Sequence, residues 1–537
     1  MSVQLLDFYP LRGVYLPGEK VSLRLEIRSQ QPTAGEVRWI VRHLDHIAQQ
    51  SSIEVELVEG INQITLEWAP EQDAPRGYGV QAILQRRNGE VLGNINTVFD
   101  LLTGWAAYPR YGFLTDFSPG REAPERALES LARYHINGLQ FYDWQYRHDH
   151  LVAPQEEYID PLGRQLSLAT VRNCIEAAHA RGMAAMPYMA VYAASLEFWN
   201  EHLDWALYAV DGTPLTFEGF LGLMDPSPGS PWTEHLLVQC DRVLTELPFD
   251  GLHVDQYGEP KQAFNARHEV VDLPGAFRQF VDRLKSSHPE KTVVFNAVGN
   301  WPTDELARSA QDFAYIEVWP PTPYYSDLLG IVGNARNKSS GKAVVVALYL
   351  PSEREANIRL ADALLLACGA TRIEICEEER LLADPYFPKH QPLSRSVKRF
   401  IRKYNDFAVQ YGEWLGPAAG ALPGQLVEAP AEVWPAVRHV EDWLVVNLVN
   451  ATDLGGPRWD APHAPPRKLD NLALTLHLPR AVEQLFWASP DGEDPSLQPL
   501  EYRNSGLGEQ RGIYSIQLNL PSLEYWSLLA IHLQRGN

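Results

Sequence analysis

The chain has 537 residues, more than a single hydrophobic core usually organises, so two to four domains are expected. It carries 46 Lys and Arg against 68 Asp and Glu, a formal net charge of −22, which argues against nucleic acid or an anionic membrane surface as its partner. Four cysteines without metal-type spacing predict free thiols rather than a disulfide framework or a metal centre.

The first residues, MSVQLLDFYPLRG, contain no basic segment followed by an apolar core. No signal peptide is therefore expected, and the sequence as written predicts a cytoplasmic protein; a secreted protein would require that the native start had been removed. No run of about 18 apolar residues occurs, so no membrane span is predicted.

Short runs in which apolar and polar residues partly alternate predict an all-β N-terminal domain over residues 1–104. Examples are VSLRLEIRS, EVRWIVRHL and NQITLEWAP, which are separated by turn-forming residues. Runs of this length and spacing are typical of an immunoglobulin-like β-sandwich.

From about residue 108 the pattern changes, because apolar strand candidates now alternate with helical stretches. The strand candidates are residues 111–116, 138–144, 183–192, 250–256, 292–298, 313–319, 343–350 and 371–377. Eight such units without a nucleotide-binding glycine motif predict a central (β/α)8 TIM barrel over residues 105–412, with its longest strand-to-helix connection at residues 193–230. The chain then becomes β-rich again, and a C-terminal β-sandwich is expected over residues 413–537.

In a TIM barrel the active site lies at the carboxyl ends of the strands. Asp255 ends the fourth predicted strand and shares the parity of His253, so both side chains are expected to point inward. Glu317 occupies the matching place on the sixth strand. Further polar or aromatic candidates at or near strand ends are Tyr142, Asp143, Trp144, Tyr192, Gln256, Asn296, Trp319 and Glu374.

Two carboxylates between aromatic walls are what glycoside hydrolysis requires, since one attacks the anomeric carbon and the other protonates the departing oxygen. Asp255, next to hydrogen-bond donors, suits the first role, and Glu317, flanked by Val318 and Trp319, suits an acid with a raised pKa. Structural alternatives remain open, because a strand-end Asp often caps a helix or joins an ion pair. His253 is more often a hydrogen-bonded interior residue than a ligand.

Two other clusters of polar residues receive a structural interpretation. The segment RHDH at residues 147–150 has no third ligand at suitable spacing, so no metal site is predicted there. The run Glu377, Glu378 and Glu379 is interpreted as a solvated stretch of charge.

Five segments together resemble glycoside hydrolase family 66, which contains endo-dextranases and cycloisomaltooligosaccharide glucanotransferases. They are RYGFLTDF at 110–117, YHINGLQFYDWQYRH at 134–148, FDGLHVDQYG at 249–258, AYIEVW at 314–319 and DPYFPKH at 384–390. The resemblance runs from the first barrel strand to the end of the barrel, and the flanking β regions are similar to the family's N-terminal immunoglobulin-like and C-terminal sandwich domains.

The resemblance implies a retaining enzyme that cleaves α-1,6-linked glucan, either dextran or isomaltooligosaccharides, and needs no cofactor. It implies that Asp255 is the nucleophile and Glu317 the acid/base. It also implies that Asp143, with Tyr142 and Trp144, holds the sugar next to the scissile bond, and Glu374 is similar in place to a carboxylate on the family's eighth strand.

The same resemblance leaves a choice between hydrolysis and glucan transfer. The family's glucanotransferases carry an additional carbohydrate-binding module after strand 7, whereas here AVVVALYL leads directly into PSEREANIRLADALLLACG, a short loop and helix. Hydrolysis is therefore favoured, with a cycloisomaltooligosaccharide-forming transglycosylase as the alternative. A non-catalytic carbohydrate-binding barrel is a further alternative, against which the presence of both Asp255 and Glu317 argues. A metal-dependent hydrolase would lose its activity to chelators.

Overall fold

The computed structural model describes residues 3–70, 75–121, 124–505 and 514–535. The protein is multidomain and mostly β, with three groups of elements that follow one another along the chain. No helix within these described ranges is long and apolar enough to cross a lipid bilayer.

The first group contains antiparallel strands whose side chains alternate between buried and more exposed positions, as β2 illustrates. These strands are β1 Val3–Pro10, β2 Val21–Ser29, β3 Thr33–His43, β4 His46–Leu57, β5 Gly60–Trp68, β6 Arg76–Gln85 and β7 Val91–Leu101. One sheet has the order β1-β2-β5 and the other β4-β3-β6-β7. Buried side chains of both sheets, among them Phe8, Leu25 and Tyr78, form one core.

The second group is built on a curled sheet whose strands pair in parallel in chain order. The strands are β8 Tyr111–Leu114, β9 Gly138–Phe141, β10 Ala184–Ala190, β11 Gly251–Asp255, β12 Thr292–Val298, β13 Ala314–Glu317, β14 Val344–Ala347, β15 Ala370–Ile373 and β16 Ile375–Cys376. β15 pairs with β14, whereas β16, separated from it by Glu374, pairs with β8. The first and last strands of the curled sheet therefore meet.

Helices occupy the connections between these strands, and the last two helices follow the last strand. They are α1 Pro124–Ala132, α2 Leu168–His179, α3 Leu196–Glu201, α4 Pro231–Glu246, α5 Leu273–Ser287, α6 Thr303–Leu306, α7 Tyr325–Lys338, α8 Glu355–Ala367, α9 Arg395–Gln410 and α10 Gly412–Leu415. Five of these helices start at a capping side chain that accepts a hydrogen bond from a first-turn backbone N–H. The caps are Ser167 of α2, Ser195 of α3, Ser230 of α4, Asp272 of α5 and Ser394 of α9. Such a cap satisfies a donor that the helix itself leaves free.

Short strands extend several connections of the curled sheet. They are Glu157–Ile159 with Gln165–Ser167, Ala193–Ser195 with Thr216–Phe217 and Leu221–Leu223, Ala263–Phe264 with Val270–Val271, and Arg380–Leu381 with Gln391–Pro392. The connection after β10 thus contains a small three-stranded sheet together with α3. It falls in the stretch 193–230 that the sequence predicts as the longest.

The third group is again formed by antiparallel strands. They are β17 Gly420–Leu422, β18 Val427–Glu428, β19 Val433–Val440, β20 Trp443–Asn450, β21 Leu469–Leu478, β22 Val482–Ala488, β23 Gln498–Pro499, β24 Tyr502–Asn504, β25 Tyr514–Leu523 and β26 Trp526–Leu533. One sheet has the order β17-β19-β20-β26-β22-β23 and the other β18-β21-β25-β24. Leucine and valine side chains of both sheets, such as Leu448 and Leu476, form a common core.

The chain between β20 and β21 reaches back to the connection that follows β13. The indole Nε1–H of Trp459 donates to the carbonyl oxygen of Thr322 at 2.7 Å. The backbone N–H of Tyr325 donates to the carbonyl oxygen of Pro457 at 3.0 Å. These bonds attach the C-terminal sheets to the segment that comes directly after Glu317.

Candidate active site

Two carboxylates lie close together because β11, β12 and β13 are consecutive parallel strands. Asp255 is the last residue of β11, and Glu317 is the last residue of β13. On β11, Leu252 and Val254 pack in the main hydrophobic core, while His253 shares a 3.2 Å hydrogen bond across the interior of the curled sheet. The alternation of the strand therefore directs Asp255 inward as well.

Asn296 of β12 stands between the two carboxylates. Its Nδ2 donates to Oδ1 of Asp255 and to Oε2 of Glu317, each at 2.8 Å. The two hydrogens of an amide nitrogen diverge by roughly 120°, so the two acceptor oxygens lie ~5 Å apart. Retaining glycosidases hold their two carboxyl groups about 5–5.5 Å apart, whereas inverting enzymes need roughly 6.5–9.5 Å to seat a water.

The surroundings disfavour ionisation of both groups. Burial raises the pKa of Asp255, and the negative charge of Glu317 raises it further. Burial also raises the pKa of Glu317, against the hydrogen bonds from Tyr349 and Asn296, which lower it. The Tyr349 hydroxyl donates to Oε1 of Glu317 at 2.5 Å. Two carboxyl groups this close titrate as a pair, so across an intermediate pH range they hold one proton between them.

A cavity of about 580 Å³ contains this pair, and aromatic side chains from the strand connections form much of its wall. Tyr142 stacks on Phe387 with ring centroids 4.3 Å apart, and Tyr257 stacks on Phe217 at 4.1 Å. Trp319, two residues after Glu317, also lines the cavity and keeps 38% of its surface exposed. Aromatic faces beside polar groups suit the packing of sugar rings.

Asp143 lines the same cavity in a left-handed backbone conformation, with φ of 52°. Arg164 donates to the backbone carbonyl oxygen of Asp143 at 2.9 Å and pairs with Asp160 at 2.7 Å, which fixes this turn. Burial raises the pKa of Asp143 to about 7, against the lowering effect of Arg164. Near neutral pH the carboxyl group of Asp143 is therefore available both as a hydrogen-bond donor and as an acceptor.

Five side chains in the cavity wall have buried polar atoms without a hydrogen-bond partner in the described part of the chain. They are Gln140 at Oε1, Gln145 at both amide atoms, His148 at Nδ1, Tyr257 at its hydroxyl and Asn296 at Oδ1. Burial lowers the pKa of His148 to about 4, so its imidazole is neutral at pH 7. A buried polar atom without a partner costs about 1–3 kcal/mol, and a ligand rich in hydroxyl groups would satisfy several of them at once.

The structure brings five of the predicted binding residues into this cavity beside Asp255 and Glu317. They are Tyr142, Asp143, Gln256, Asn296 and Trp319. Gln256 has a further positioning role, because its Nε2 donates to the carbonyl oxygen of Trp301 at 3.1 Å and its Oε1 accepts from Gly258 at 2.5 Å.

Two predicted aromatic binding residues are buried outside the cavity lining. Trp144 follows the turn at Asp143 and is fully buried, where its Nε1–H donates to the carbonyl oxygen of Tyr188 at 3.1 Å. Tyr192 stacks on Phe277 with centroids 5.4 Å apart, and its hydroxyl donates to a backbone carbonyl at 2.8 Å. Both rings therefore support the connections around the cavity.

His253 and Glu374 also lie outside the cavity lining. His253 is one inward position before Asp255, and its Nδ1 is engaged with the Tyr111 hydroxyl. Glu374 shares the parity of Arg372, which pairs with it and with Asp362 of α8. Because Asp362 belongs to the surrounding helices, this ion-pair network faces them and not the cavity.

The interpretation of residues 377–379 as a solvated stretch of charge is wrong for Glu377. This side chain is buried, and its Oε1 accepts hydrogen bonds from the backbone N–H of Thr115 at 2.9 Å, the Thr115 hydroxyl at 3.1 Å and the Asp116 N–H at 3.1 Å. Glu379 is also engaged, since it pairs with Lys398 at 2.6 Å. Glu377, which directly follows β16, thus joins the end of β16 to the end of β8. The run of three acidic residues in the sequence does not reveal this contact.

The side chains of the RHDH segment point to different surroundings. His148 lines the cavity, whereas Asp149 accepts from the Ser195 N–H at 2.7 Å and His150 contacts Arg242 at 3.3 Å. Across the residues that the structure describes, no three His, Cys, Asp or Glu side chains are grouped to hold a metal ion.

Several cavity residues were missed by the sequence reasoning. Gln145 and His148 lie just beyond β9. Both belong to the segment 134–148 that carries the family resemblance, but neither was predicted as a binding residue, and His148 was considered individually only as a metal ligand. Tyr349 has the parity of Ala347, the last residue of β14, so the alternation that identified Asp255 would also have pointed to it. Phe217 and Phe387 come from connections, and no strand alternation could place them.

Residues 12–530 match the sequence profile of glycosyl hydrolase family 66. A cycloisomaltooligosaccharide glucanotransferase from Niallia circulans is 23% identical over an alignment of 699 positions, which covers 97% of this chain and 72% of that protein. A dextranase from Streptococcus salivarius is 21% identical over an alignment of 610 positions, which covers 92% of this chain and 72% of that protein. The fold is similar to the crystal structure of a cycloisomaltooligosaccharide glucanotransferase from Paenibacillus sp. complexed with cycloisomaltoheptaose, with a TM-score of 0.90, 21% identity and coverage of 98% of this chain and 99% of that one.

Proposed function

The chain belongs to glycosyl hydrolase family 66, and we propose on this basis that it is a dextranase-like enzyme that hydrolyses α-1,6-glucosidic linkages with retention of configuration. Its substrate would be dextran or an isomaltooligosaccharide. The observation that carries the stereochemical part of the proposal is the Asn296 amide, which donates to Asp255 and Glu317 at 2.8 Å each. A separation of ~5 Å between the two bridged oxygens supports retention, because an inverting pair is held roughly 6.5–9.5 Å apart to seat a water.

In the first step, an Asp255 carboxylate oxygen attacks the anomeric carbon while the bond from that carbon to the departing sugar oxygen breaks. Glu317 gives its proton to the departing oxygen, so a β-glucosyl-enzyme and a shortened glucan result. The shared titration of the two carboxyl groups supports this division, because the reaction needs one ionised and one protonated group.

In the second step, the Glu317 carboxylate takes a proton from water, and the water oxygen attacks the anomeric carbon from the face that the first sugar left. The bond to Asp255 breaks, so the product has the α configuration of the substrate. The Tyr349 hydroxyl, at 2.5 Å from Glu317, and the Asn296 amide hold the carboxyl group in place through both proton transfers.

The cavity wall supports a glucan substrate. The aromatic rings of Tyr142, Tyr257 and Trp319 offer apolar faces, and the unpartnered polar atoms of Gln145 and His148 offer hydrogen bonds to hydroxyl groups. The choice of the α-1,6 linkage rests on the family and on the dextranase and glucanotransferase relatives.

A cycloisomaltooligosaccharide-forming transglycosylase is the second candidate, since two of the curated relatives are named as such enzymes. It would use the same two carboxylates, with a sugar hydroxyl in place of water. Hydrolysis is favoured because only residues 348–354 separate β14 from α8, which leaves no module there. The alignment with one glucanotransferase spans 699 positions against the 537 residues of this chain, so that relative carries residues that this chain lacks.

We further propose that the curled sheet is a closed (β/α)8 TIM barrel between an N-terminal immunoglobulin-like β-sandwich and a C-terminal β-sandwich. Support comes from the pairing of β16 with β8 and of β15 with β14, and from the helices in the connections. The proposed boundaries are residues 1–104, 105–412 and 413–537.

Time courses on dextran and on short isomaltooligosaccharides, with product sizes measured by chromatography, test the function. We expect reducing sugar from both and little from soluble starch, with the first product in the α form by proton NMR before mutarotation. Faster release from starch would contradict the substrate assignment, and an initial β product would contradict the retaining mechanism. Asp255→Asn is the inactive control of matched shape.

A further inference from the structure

A second cavity, of about 890 Å³, lies at the opposite end of the curled sheet from the two carboxylates. Its lining includes Asp312, Ala343 and Cys368, which come shortly before β13, β14 and β15 and so mark the amino ends of the strands. The other walls are α7, residues 417–422 and the part of β19 that ends with Arg438. The cavity is therefore separate from the proposed active site and lies where the C-terminal sheets join the curled sheet.

Two arginines in this lining are buried without an acidic partner. Arg336 of α7 is 8% exposed and Arg438 of β19 is 2% exposed. Within the described ranges no Asp or Glu lies within ion-pair distance of either guanidinium. Burial, and next the positive charge of Arg336, lower the pKa of Arg438 to about 10. Two buried like charges are costly unless an opposite charge is bound with them.

Backbone carbonyl groups hold the two guanidinium groups but do not neutralise them. Nη2 of Arg438 donates to the carbonyl oxygens of Gly416 at 2.6 Å and Ala419 at 2.8 Å. Nη2 of Arg336 also donates to the Ala419 oxygen, at 3.0 Å. Nε of Arg438 is buried with no partner among the described residues. At Gly369 a Cβ would lie 1.8 Å from Nη1 of Arg438, so the absence of a side chain there leaves space for the guanidinium.

A third cation, Lys342, lines the same cavity, and its two carboxylate neighbours, Asp282 and Asp312, are already paired with Arg278 and Lys285. Lys342 donates from Nζ to the carbonyl oxygens of Ser309 at 2.9 Å and Gln311 at 2.6 Å. Asp312 accepts from Lys285 at 2.9 Å. In a chain with a net charge of −22, this concentration of positive charge calls for an anion.

We propose that this cavity, lined by Arg336, Lys342 and Arg438, binds an oxyanion of the phosphate type. Guanidinium groups bind phosphate oxygens through paired N–H donors, and among the residues that the structure describes Nε and Nη1 of Arg438 have no hydrogen-bond partner. The volume is in the range of small-molecule sites, so both inorganic phosphate and a sugar phosphate fit. A bound anion would connect α7, residues 416–419 and β19 through one set of hydrogen bonds.

Thermal unfolding of the full chain at constant ionic strength tests the proposal. We expect 10 mM inorganic phosphate to raise the unfolding temperature relative to matched chloride, because a ligand that binds only the folded state stabilises it. Parallel titrations with sulfate, glucose 6-phosphate and glucose distinguish a free oxyanion from a sugar phosphate. An equal response to phosphate and chloride, with none to glucose 6-phosphate, would overturn the site.

Variants locate the response. Arg438→Gln and Arg336→Gln should each reduce the temperature shift caused by phosphate at least severalfold, whatever their own unfolding temperatures are. Arg467→Gln is the matched control, because Arg467 is exposed and pairs with Asp453 on the surface. If Arg438→Gln keeps the wild-type shift, the anion binds elsewhere and the proposal fails.

Alkylation of the wild-type chain provides a test that needs no variant. Cys368 lines the cavity and is partly exposed, whereas Cys174, Cys240 and Cys376 are buried and serve as internal references. We expect phosphate to slow the reaction of Cys368 with N-ethylmaleimide, measured by peptide mass spectrometry, and to leave the references unchanged. An unchanged Cys368 rate at a phosphate concentration that shifts the unfolding temperature would place the anion outside this cavity.

Discussion

Replacing Asn296 by Ala removes a side chain that hydrogen-bonds both Asp255 and Glu317 at 2.8 Å. A hydrogen bond to a charged group contributes about 1.5–3 kcal/mol, and each ~1.4 kcal/mol of barrier is a factor of ten in rate. If the loss equals one such bond in the transition state, kcat on an isomaltooligosaccharide should fall by about 10- to 100-fold.

The pH profile gives a second readout for the Asn296→Ala variant. The amide lowers the pKa of each carboxyl group by favouring its charged form, so its removal raises both pKa values further. The acid limb of kcat/KM reports ionisation of Asp255, and the basic limb reports loss of the remaining proton of the pair. Both limbs should therefore move to higher pH.

Matched variants separate this effect from general damage. Asn296→Asp keeps the shape but places a third carboxyl group between the two, so we expect a greater loss than with alanine. Asn334→Ala, on the outer helix α7, should keep wild-type kinetics. An Asn296→Ala enzyme with unchanged kcat and an unchanged pH profile would refute the bridging role, provided that its thermal unfolding matches the wild type.

Three further predictions concern individual side chains. Asp255→Gly should lose turnover on glucans yet still transfer the sugar of a β-glucosyl fluoride. Glu317→Gln should lower the rate about 10²- to 10⁴-fold on glucans and far less on an α-isomaltosyl fluoride, and it should yield a β-azide product when azide is added. If neither variant is rescued in this way, the assigned roles are refuted. Trp319→Ala should raise KM for isomaltooligosaccharides by about 2- to 10-fold and leave kcat similar, because an aromatic contact with the sugar is lost. An unchanged KM would show that Trp319 does not bind the substrate. Glu377→Gln should lower the unfolding temperature by several degrees, because it replaces the carboxylate that accepts three hydrogen bonds, at a cost of about 1–3 kcal/mol in stability. The exposed control Glu378→Gln should leave the unfolding temperature unchanged. Equal unfolding temperatures for the two variants would contradict the structural role of Glu377.

The positions of Asp255 and Glu317 follow from the sequence because strand alternation is a local rule. Apolar Leu252 and Val254 identify the helix-facing side of β11, so the opposite parity must face the interior. The same rule places Asn296 between them once the strands are known to be consecutive. Eight strand candidates separated by helical stretches were sufficient for that order.

Side chains that depend on long-range contacts were not predictable in this way. The wall formed by Phe217 and Phe387 comes from two connections far apart in the chain, each positioned by stacking on a partner ring. The placement of Glu374 depends on Asp362 of α8, an ion-pair partner that strand parity alone does not indicate. Trp144 is turned away by the left-handed conformation of Asp143, which a short-range pattern does not reveal for a residue other than glycine.

The hydrogen bonds between residues 457–459 and residues 322–325 bear on how this enzyme can be cut and recombined. A truncation after the helices of the curled sheet would leave the segment behind Glu317 without its external support, although it removes no residue of the cavity. In a hybrid whose C-terminal sheets come from a relative, residues 322–325 and residues 457–459 must both be taken from the same protein. Trp459 and residues 322–325 must therefore be exchanged together, although they are far apart in the sequence.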